Sequence, residues 1–172
     1  MTPATPTTRD APIQIYDDVA TELLPGIAAE ILERYAASTS SYPSLNQGGW
    51  KSGEDLFDWR DAPSIAALRT VIGEHIGLDE IKRRRVIGWA MLNAGGSFHP
   101  THNHKTAIQT GIYYVTPGDP PTPTIFELAA GDDLEVEARP GRFVLFPGNL
   151  WHRVPAYHGT APRITIAFDV RR

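Results

Sequence analysis

Three of the chain's six histidines fall in the run Phe98-His99-Pro100-Thr101-His102-Asn103-His104. A lone histidine is ordinarily a surface residue or a hydrogen-bonded core residue, but a cluster on this scale in a chain without cysteine is a candidate metal site. His102 and His104 are two apart, so in an extended chain their side chains share a face, with Cα atoms about 6.6–6.8 Å apart. Imidazoles at that separation can reach one ion through metal–nitrogen bonds of about 2.1 Å. The pair is read as opening a β-strand. His99 is displaced from the alternation by Pro100 and is the alternative to His104 as a ligand.

A second cluster runs from Gly141 to Val154. An apolar stretch, Phe143 to Phe146, meets a Pro147-Gly148 turn, and His152 follows, so a third imidazole can return to the same pocket from another strand. Arg163 then begins the last apolar run, and Thr165 shares its face by the period of two. Taken alone, Arg163 reads as an outward residue in a surface salt bridge. Its spacing from His152 favours the inward reading, among Ile164, Ile166 and Phe168. A guanidinium held there is costly unless it meets an anion, and its planar fork suits a carboxylate.

The elements that must carry these residues are legible as periodicities. Residues 1–11 are Thr- and Pro-rich without periodicity and read as a disordered tail. Ile13, Ile15 and Tyr16 suggest a short strand. Leu23, Leu24, Ile27, Ala28, Ile31, Leu32 and Tyr35 then recur at helical spacing, with Thr21 near the N-cap and Pro25 in the first turn. Ile65, Leu68, Val71, Ile72 and Ile76 mark a second helix that stops at Gly77. From about Arg84 the texture changes to short β-rich runs: Val86 to Asn93, Thr106 to Thr116, Thr124 to Leu128, Leu134 to Ala138, Phe143 to Phe146 and Arg163 to Val170. Such spacing predicts an antiparallel sandwich or barrel with the two helices packed outside it. Residues 12–83 are thus helical support and residues 84–172 the β-rich core of a single domain.

Composition sets the outer bounds. The 172 residues include 15 glycines, 15 prolines and 41% apolar residues, with a formal charge of −4. A domain of this size buries roughly 68–70% of its unfolded surface and needs no staples. Without cysteine there is no disulfide framework, thiolate metal site, iron–sulfur cluster or cysteine nucleophile. Sixteen basic against twenty acidic residues argue against a nucleic-acid partner. No stretch approaches the roughly 18 apolar residues of a membrane span, and Met1 to Pro12 lacks the apolar core of a signal peptide, so a cytoplasmic protein with no membrane partner is expected. Neither this balance nor any motif fixes the oligomeric state, and a homodimer is compatible with it.

The run His102-x-His104, Thr110-Gly111-Ile112-Tyr113-Tyr114, Phe146-Pro147, His152 and Arg163-x-Thr165 resembles the iron(II)- and 2-oxoglutarate-dependent oxygenases. It is similar to a small bacterial and phage branch with a histidine pair before a Ser-Gly-Val-Tyr-Tyr-like strand. The likeness spans about Trp89 to Val170, with Gly48-Gly49-Trp50 as an upstream signature. It implies a double-stranded β-helix (a jelly roll, cupin-like) and iron held by His102, His104 and His152. It further implies 2-oxoglutarate and O2 as co-substrates, with the distal carboxylate of 2-oxoglutarate on Arg163, assisted by Thr165 and Tyr114. Asn93 is a further candidate partner for co-substrate or substrate, and Tyr113 points away from Tyr114.

One departure stands out. Most of the superfamily carries Asp or Glu where this chain has His104. Three neutral imidazoles leave a ferrous centre at +2 rather than +1, which favours a dianionic co-substrate. Because His104 fills the place, the resemblance implies hydroxylation of a small molecule or peptide, with release of succinate and CO2, rather than halogenation. Trp50, Trp89 and Trp151 are candidates for the substrate entrance. The run Lys82-Arg83-Arg84-Arg85 reads as a solvated basic segment, and Asp132, Asp133, Glu135 and Glu137 as a solvated strand face without catalytic role. Two other readings are open: a cupin-like three-histidine dioxygenase that does not use 2-oxoglutarate, and a non-catalytic jelly-roll binding module stabilised by its metal. Metal binding is expected to fade as pH falls through the ordinary histidine range near 6.5.

Overall fold

A computed structural model describes residues 12–38, 40–77, 85–128 and 131–171, with Arg85 by its backbone alone. The tail expected over residues 1–11 and the side chains of the basic run Lys82-Arg83-Arg84-Arg85 lie outside them. In chain order the elements are β1 (Gln14–Tyr16), α1 (Leu24–Ala37), β2 (Trp50–Lys51), α2 (Pro63–Ile76), β3 (Arg85–Asn93), β4 (His99–His102) and β5 (Ala107–Thr116). They continue with β6 (Thr124–Glu127), β7 (Asp133–Val136), β8 (Phe143–Pro147), β9 (His152–Val154) and β10 (Arg163–Arg171).

Two antiparallel sheets result, one ordered β1-β8-β5-β10-β3-β2 and the other β4-β9-β6-β7. This is the antiparallel sandwich expected from the short, turn-separated strands, in the jelly-roll form that the family resemblance implies. β1 and β2, from the helical half of the chain, close the two edges of the larger sheet. No helix among the described residues is long and apolar enough to cross a membrane.

The larger sheet divides its residues by the period of two. On β10, Ile164, Ile166, Phe168 and Val170 enter the core under the helices. Arg163, Thr165, Ala167 and Asp169 are buried on the opposite face. β5 follows the same logic: Tyr113 and Val115 face the helices, whereas Ile112 and Tyr114 join the barrel interior. Tyr113 and Tyr114 therefore point in opposite directions, as the alternation predicts.

Ile27 and Ile31 of α1 and Ile65, Leu68 and Ile72 of α2 are almost fully buried against the sheet. Each contributes about 1.5–3 kcal/mol of transfer free energy. Pro25 and Pro63 open the two helices, where a missing N–H costs nothing, and Gly77 ends α2 with φ +84°. Thr21 does not cap α1; it starts a separate turn of 3-10 helix (Thr21–Leu23), and the cap residue Leu23 offers no side-chain oxygen. α2 is capped instead from its neighbour. Glu30 of α1 accepts hydrogen bonds from the Ser64 and Ile65 amides at 2.8 and 3.0 Å, satisfying two orphan donors and placing a carboxylate at the positive helix end.

Candidate metal centre and anion pocket

β4 and β9 pair with His102 directly opposite His152. That register brings together histidines far apart in sequence, and their ring centroids lie 4.3 Å apart. The histidine pair does not open a strand as expected: His102 ends β4, and His104 lies in the turn leading to β5. His104 is held there by backbone bonds, its N–H donating to Gly148 O at 2.7 Å and its carbonyl accepting from Ala107 N at 2.9 Å. A Cβ on Gly148 would lie 2.2 Å from Ala107 O and 2.7 Å from His104 O, so the Pro147-Gly148 turn can press this closely only without a side chain.

The ligand atoms of His102, His104 and His152 lie within 4.8 Å of one another, comparable with two metal–nitrogen bonds of about 2.1 Å end to end. Their outward nitrogens are all spoken for. Nδ1 of His102 lies 2.8 Å from the Pro100 carbonyl, Nδ1 of His152 lies 3.1 Å from the Leu150 carbonyl, and Nδ1 of His104 lies 2.7 Å from Asp169 Oδ1. Each partner is an acceptor, so each Nδ1 carries the proton and each Nε2 keeps its lone pair. His99 is not in the triad. Its ring lies 5.4 Å from that of His102, and its buried Nε2 has no partner.

Deeper in the same cavity lies Arg163, only 3% exposed. It has no ion-pair partner among the described residues, and its Nε is buried without a hydrogen bond. The Tyr114 ring lies 5.8 Å from its guanidinium carbon. Burial pulls the guanidinium below its ordinary pKa, offset in part by Tyr114 and Tyr157. The Thr165 hydroxyl is likewise buried and unpartnered. Tyr114 donates to Thr124 Oγ1 at 2.6 Å, leaving the Thr124 proton free for the cavity that Thr124 lines. Two orphaned donors beside a third free hydroxyl proton form a cradle for a carboxylate, and three convergent imidazole lone pairs fit a divalent metal. Asn93 stands opposite Arg163 in the β3–β10 register, but its Nδ2 donates to Asn46 Oδ1 at 2.8 Å and its Oδ1 lacks a partner.

An outer cleft of about 400 Å³ leads from the histidines to the surface, bordered by Lys51, Trp89, Lys105 and Arg171. Trp89 stacks on His104 with centroids 5.8 Å apart and rings 10° from parallel, and borders this cleft. Trp50 does not: it packs edge-on against Tyr35 in the core under the helices. Trp151 is 45% exposed and borders neither part of the cavity. The residue type of Trp50 does not say which sheet face the register of β2 selects for it. Lys51 and Asp169 went unanticipated. Asp169 was within reach, because it belongs to the same period-two set as Arg163 and Thr165; nothing marked Lys51, whose ammonium lies 4.6 Å from the Trp89 ring centroid.

Burial holds His152 and His99 at about 3, and lowers His102 as well, with neighbouring imidazoles adding to the effect. His99, His102 and His152 are thus held neutral below the ordinary histidine range. The same shift has a stability consequence. Below pH 6.5 the unfolded chain binds protons that the folded chain refuses, so stability falls with pH by up to about 1.4 kcal/mol per unit for each such histidine. Urea unfolding of the metal-free protein should show the midpoint dropping between about pH 6.5 and about pH 5. A midpoint constant across that window would mean that the site is open to protons.

Fold and site together define a class: a double-stranded β-helix with three imidazoles at its mouth and a buried, unpaired guanidinium within. Residues 127–169, which include His152, Arg163 and Thr165, match the family described as "Putative 2OG-Fe(II) oxygenase". A Pseudomonas putida prolyl-4-hydroxylase superposes with a TM-score of 0.74 at 18% identity, over 95% of this chain and 94% of that one. A Trichoplax adhaerens prolyl hydroxylase, solved with a hypoxia inducible factor peptide, gives 0.77 at 13% identity over 94% and 84%. HygX from Streptomyces hygroscopicus, solved with nickel and 2-oxoglutarate, gives 0.68 at 12% over 94% and 83%. A search of curated protein sequences finds no match. The C-terminal segment thus matches that family in sequence, and the chain as a whole shares the fold of these hydroxylases.

Proposed function

We propose that the protein is an Fe(II)- and 2-oxoglutarate-dependent dioxygenase that hydroxylates a small molecule or peptide, with release of succinate and CO2. The observation that carries this reading is Arg163, a buried guanidinium without a counter-ion in the cavity that the three histidines enclose. A metal-stabilised binding module or a dioxygenase without a keto acid has no use for such a group, whose burial is unfavourable until an anion arrives.

The roles follow from position. His102, His104 and His152 would hold iron through Nε2, their tautomers fixed from behind by Pro100, Asp169 and Leu150. Iron(II), when bound, supplies the chemistry that couples decarboxylation of 2-oxoglutarate to oxygen insertion from O2. Arg163 pairs with the distal carboxylate, Thr165 and Thr124 donate to it, and Tyr114 orients Thr124. The apolar cavity walls, Ile112, Val154 and Ala167 among them, keep water from the reacting centre. Substrate enters through the outer cleft between Trp89 and Lys105. The chain's acidic balance supports metabolites or peptides, rather than nucleic acid, as substrates.

The test is anaerobic reconstitution with iron(II), calorimetric titration with 2-oxoglutarate, then admission of O2 with measurement of succinate. Binding and succinate formation are expected, and a metabolite and peptide screen should reveal a product heavier by about 16 mass units, one inserted oxygen atom. Failure of the iron-loaded protein to bind 2-oxoglutarate would overturn the reading.

A further inference from the structure

The three histidines are alike in donating Nδ1–H, but not in what receives it. His102 and His152 donate to peptide carbonyls, whereas His104 donates to the Asp169 carboxylate at 2.7 Å. Asp169 is 2% exposed and reaches His104 from β10, on the face that also carries Arg163 and Thr165. It lies opposite Thr110 in the β5–β10 register, and Thr110 Oγ1 donates to the same Oδ1 at 3.0 Å. Arg171 Nη2 lies 3.5 Å from Oδ2. The ring it holds is fixed on both faces, with Trp89 stacked on one side and His152 stacked at 5.3 Å.

We propose that Asp169 is the positioning residue of this centre and returns, one hydrogen bond further out, the negative charge that His104 lacks as a ligand. The carboxylate stands behind the one imidazole that occupies the position where most oxygenases of this fold place an acid. It fixes His104 with Nε2 toward the metal, strengthens that nitrogen as a donor, and sets a negative charge, shared with Arg171, one hydrogen bond behind it. This inference rests on His104 being a ligand.

The test uses cobalt(II) as probe, read by its visible absorption in the full-length protein. Asp169→Asn keeps an acceptor for Nδ1–H and removes the charge; Asp169→Ala removes both. Cobalt affinity is expected to fall about 10–100-fold, the usual effect of losing a partner behind a metal ligand, more in the alanine variant than in the asparagine variant, with an altered cobalt spectrum. Thr110→Val, which removes only the neutral neighbour, should leave both nearly unchanged. In the zinc-loaded wild type, the His104 ring N–H proton should resonate downfield of those of His102 and His152, a readout that needs no variant to fold. Wild-type cobalt affinity and spectrum in both Asp169 variants, or a His104 proton on Nε2, would overturn the proposal. His104→Ala separates the two claims. If it leaves cobalt affinity intact, the ligand assignment fails; if it lowers affinity while the Asp169 variants do not, only the role of Asp169 fails.

Discussion

Replacing Arg163 with alanine is expected to weaken 2-oxoglutarate binding to the metal-loaded protein on the order of 10²–10³-fold, the scale of truncating one partner of a buried charge pair, about 2–5 kcal/mol. Calorimetric titration under anaerobic conditions measures it. Arg163→Lys should recover only part of the loss, because an ammonium keeps the charge but not the fork that meets a carboxylate with two bonds. A companion substitution separates ligand capture from folding. In the metal-free protein Arg163 is buried among apolar strands with its Nε unsatisfied, so Arg163→Met should stabilise the fold by about 1–4 kcal/mol while abolishing co-substrate binding. At about 2–4 °C per kcal/mol for a chain of this size, thermal unfolding resolves the gain. A destabilised Arg163→Met variant with normal 2-oxoglutarate affinity would show that the guanidinium serves packing.

The second large effect is expected at His152. It is 3% exposed, stands opposite His102 in the β4–β9 register, and is walled by the Phe126 and Phe146 rings at 5.7 and 4.9 Å. Metal binding worth about 10–16 kcal/mol in four-ligand sites amounts to about 3–4 kcal/mol per ligand, so His152→Ala should lower iron or cobalt affinity on the order of 10²–10³-fold. Free imidazole added to the variant should restore part of the binding by entering the vacated space, which also shows that the site is otherwise intact. His99→Ala, at the opposite end of β4 from His102, should leave affinity within a few-fold of wild type. A reversed order of effects would exchange the roles of His99 and His152.

Much of the site was readable before any coordinates because its information is local. The spacing of Arg163 and Thr165, the opposite orientations of Tyr113 and Tyr114, and the histidine pair all express the period of two or simple clustering. What escaped is what depends on pairing between distant segments. β4, β9 and β2, of four, three and two residues, exist because partner strands receive them, and no propensity in so short a run announces that. The pair His102-x-His104 reads as opening a strand, whereas it spans the end of β4 and the following turn. Trp50 and Trp89 are of one type, yet one packs against Tyr35 under the helices and the other against His104. Only the sheet register distinguishes them.

The alternation along β10 carries a consequence for assembly of the molecule. One face of that strand supplies Ile164, Ile166, Phe168 and Val170 to the layer beneath the helices, and the other supplies Arg163, Thr165 and Asp169 to the cavity. A slip of a single residue would drive a guanidinium and a carboxylate into oil and leave four greasy side chains lining the cavity in their place. Misthreaded chains are therefore rejected by energetics alone, and a population that passes as folded is one whose chemistry is already in place.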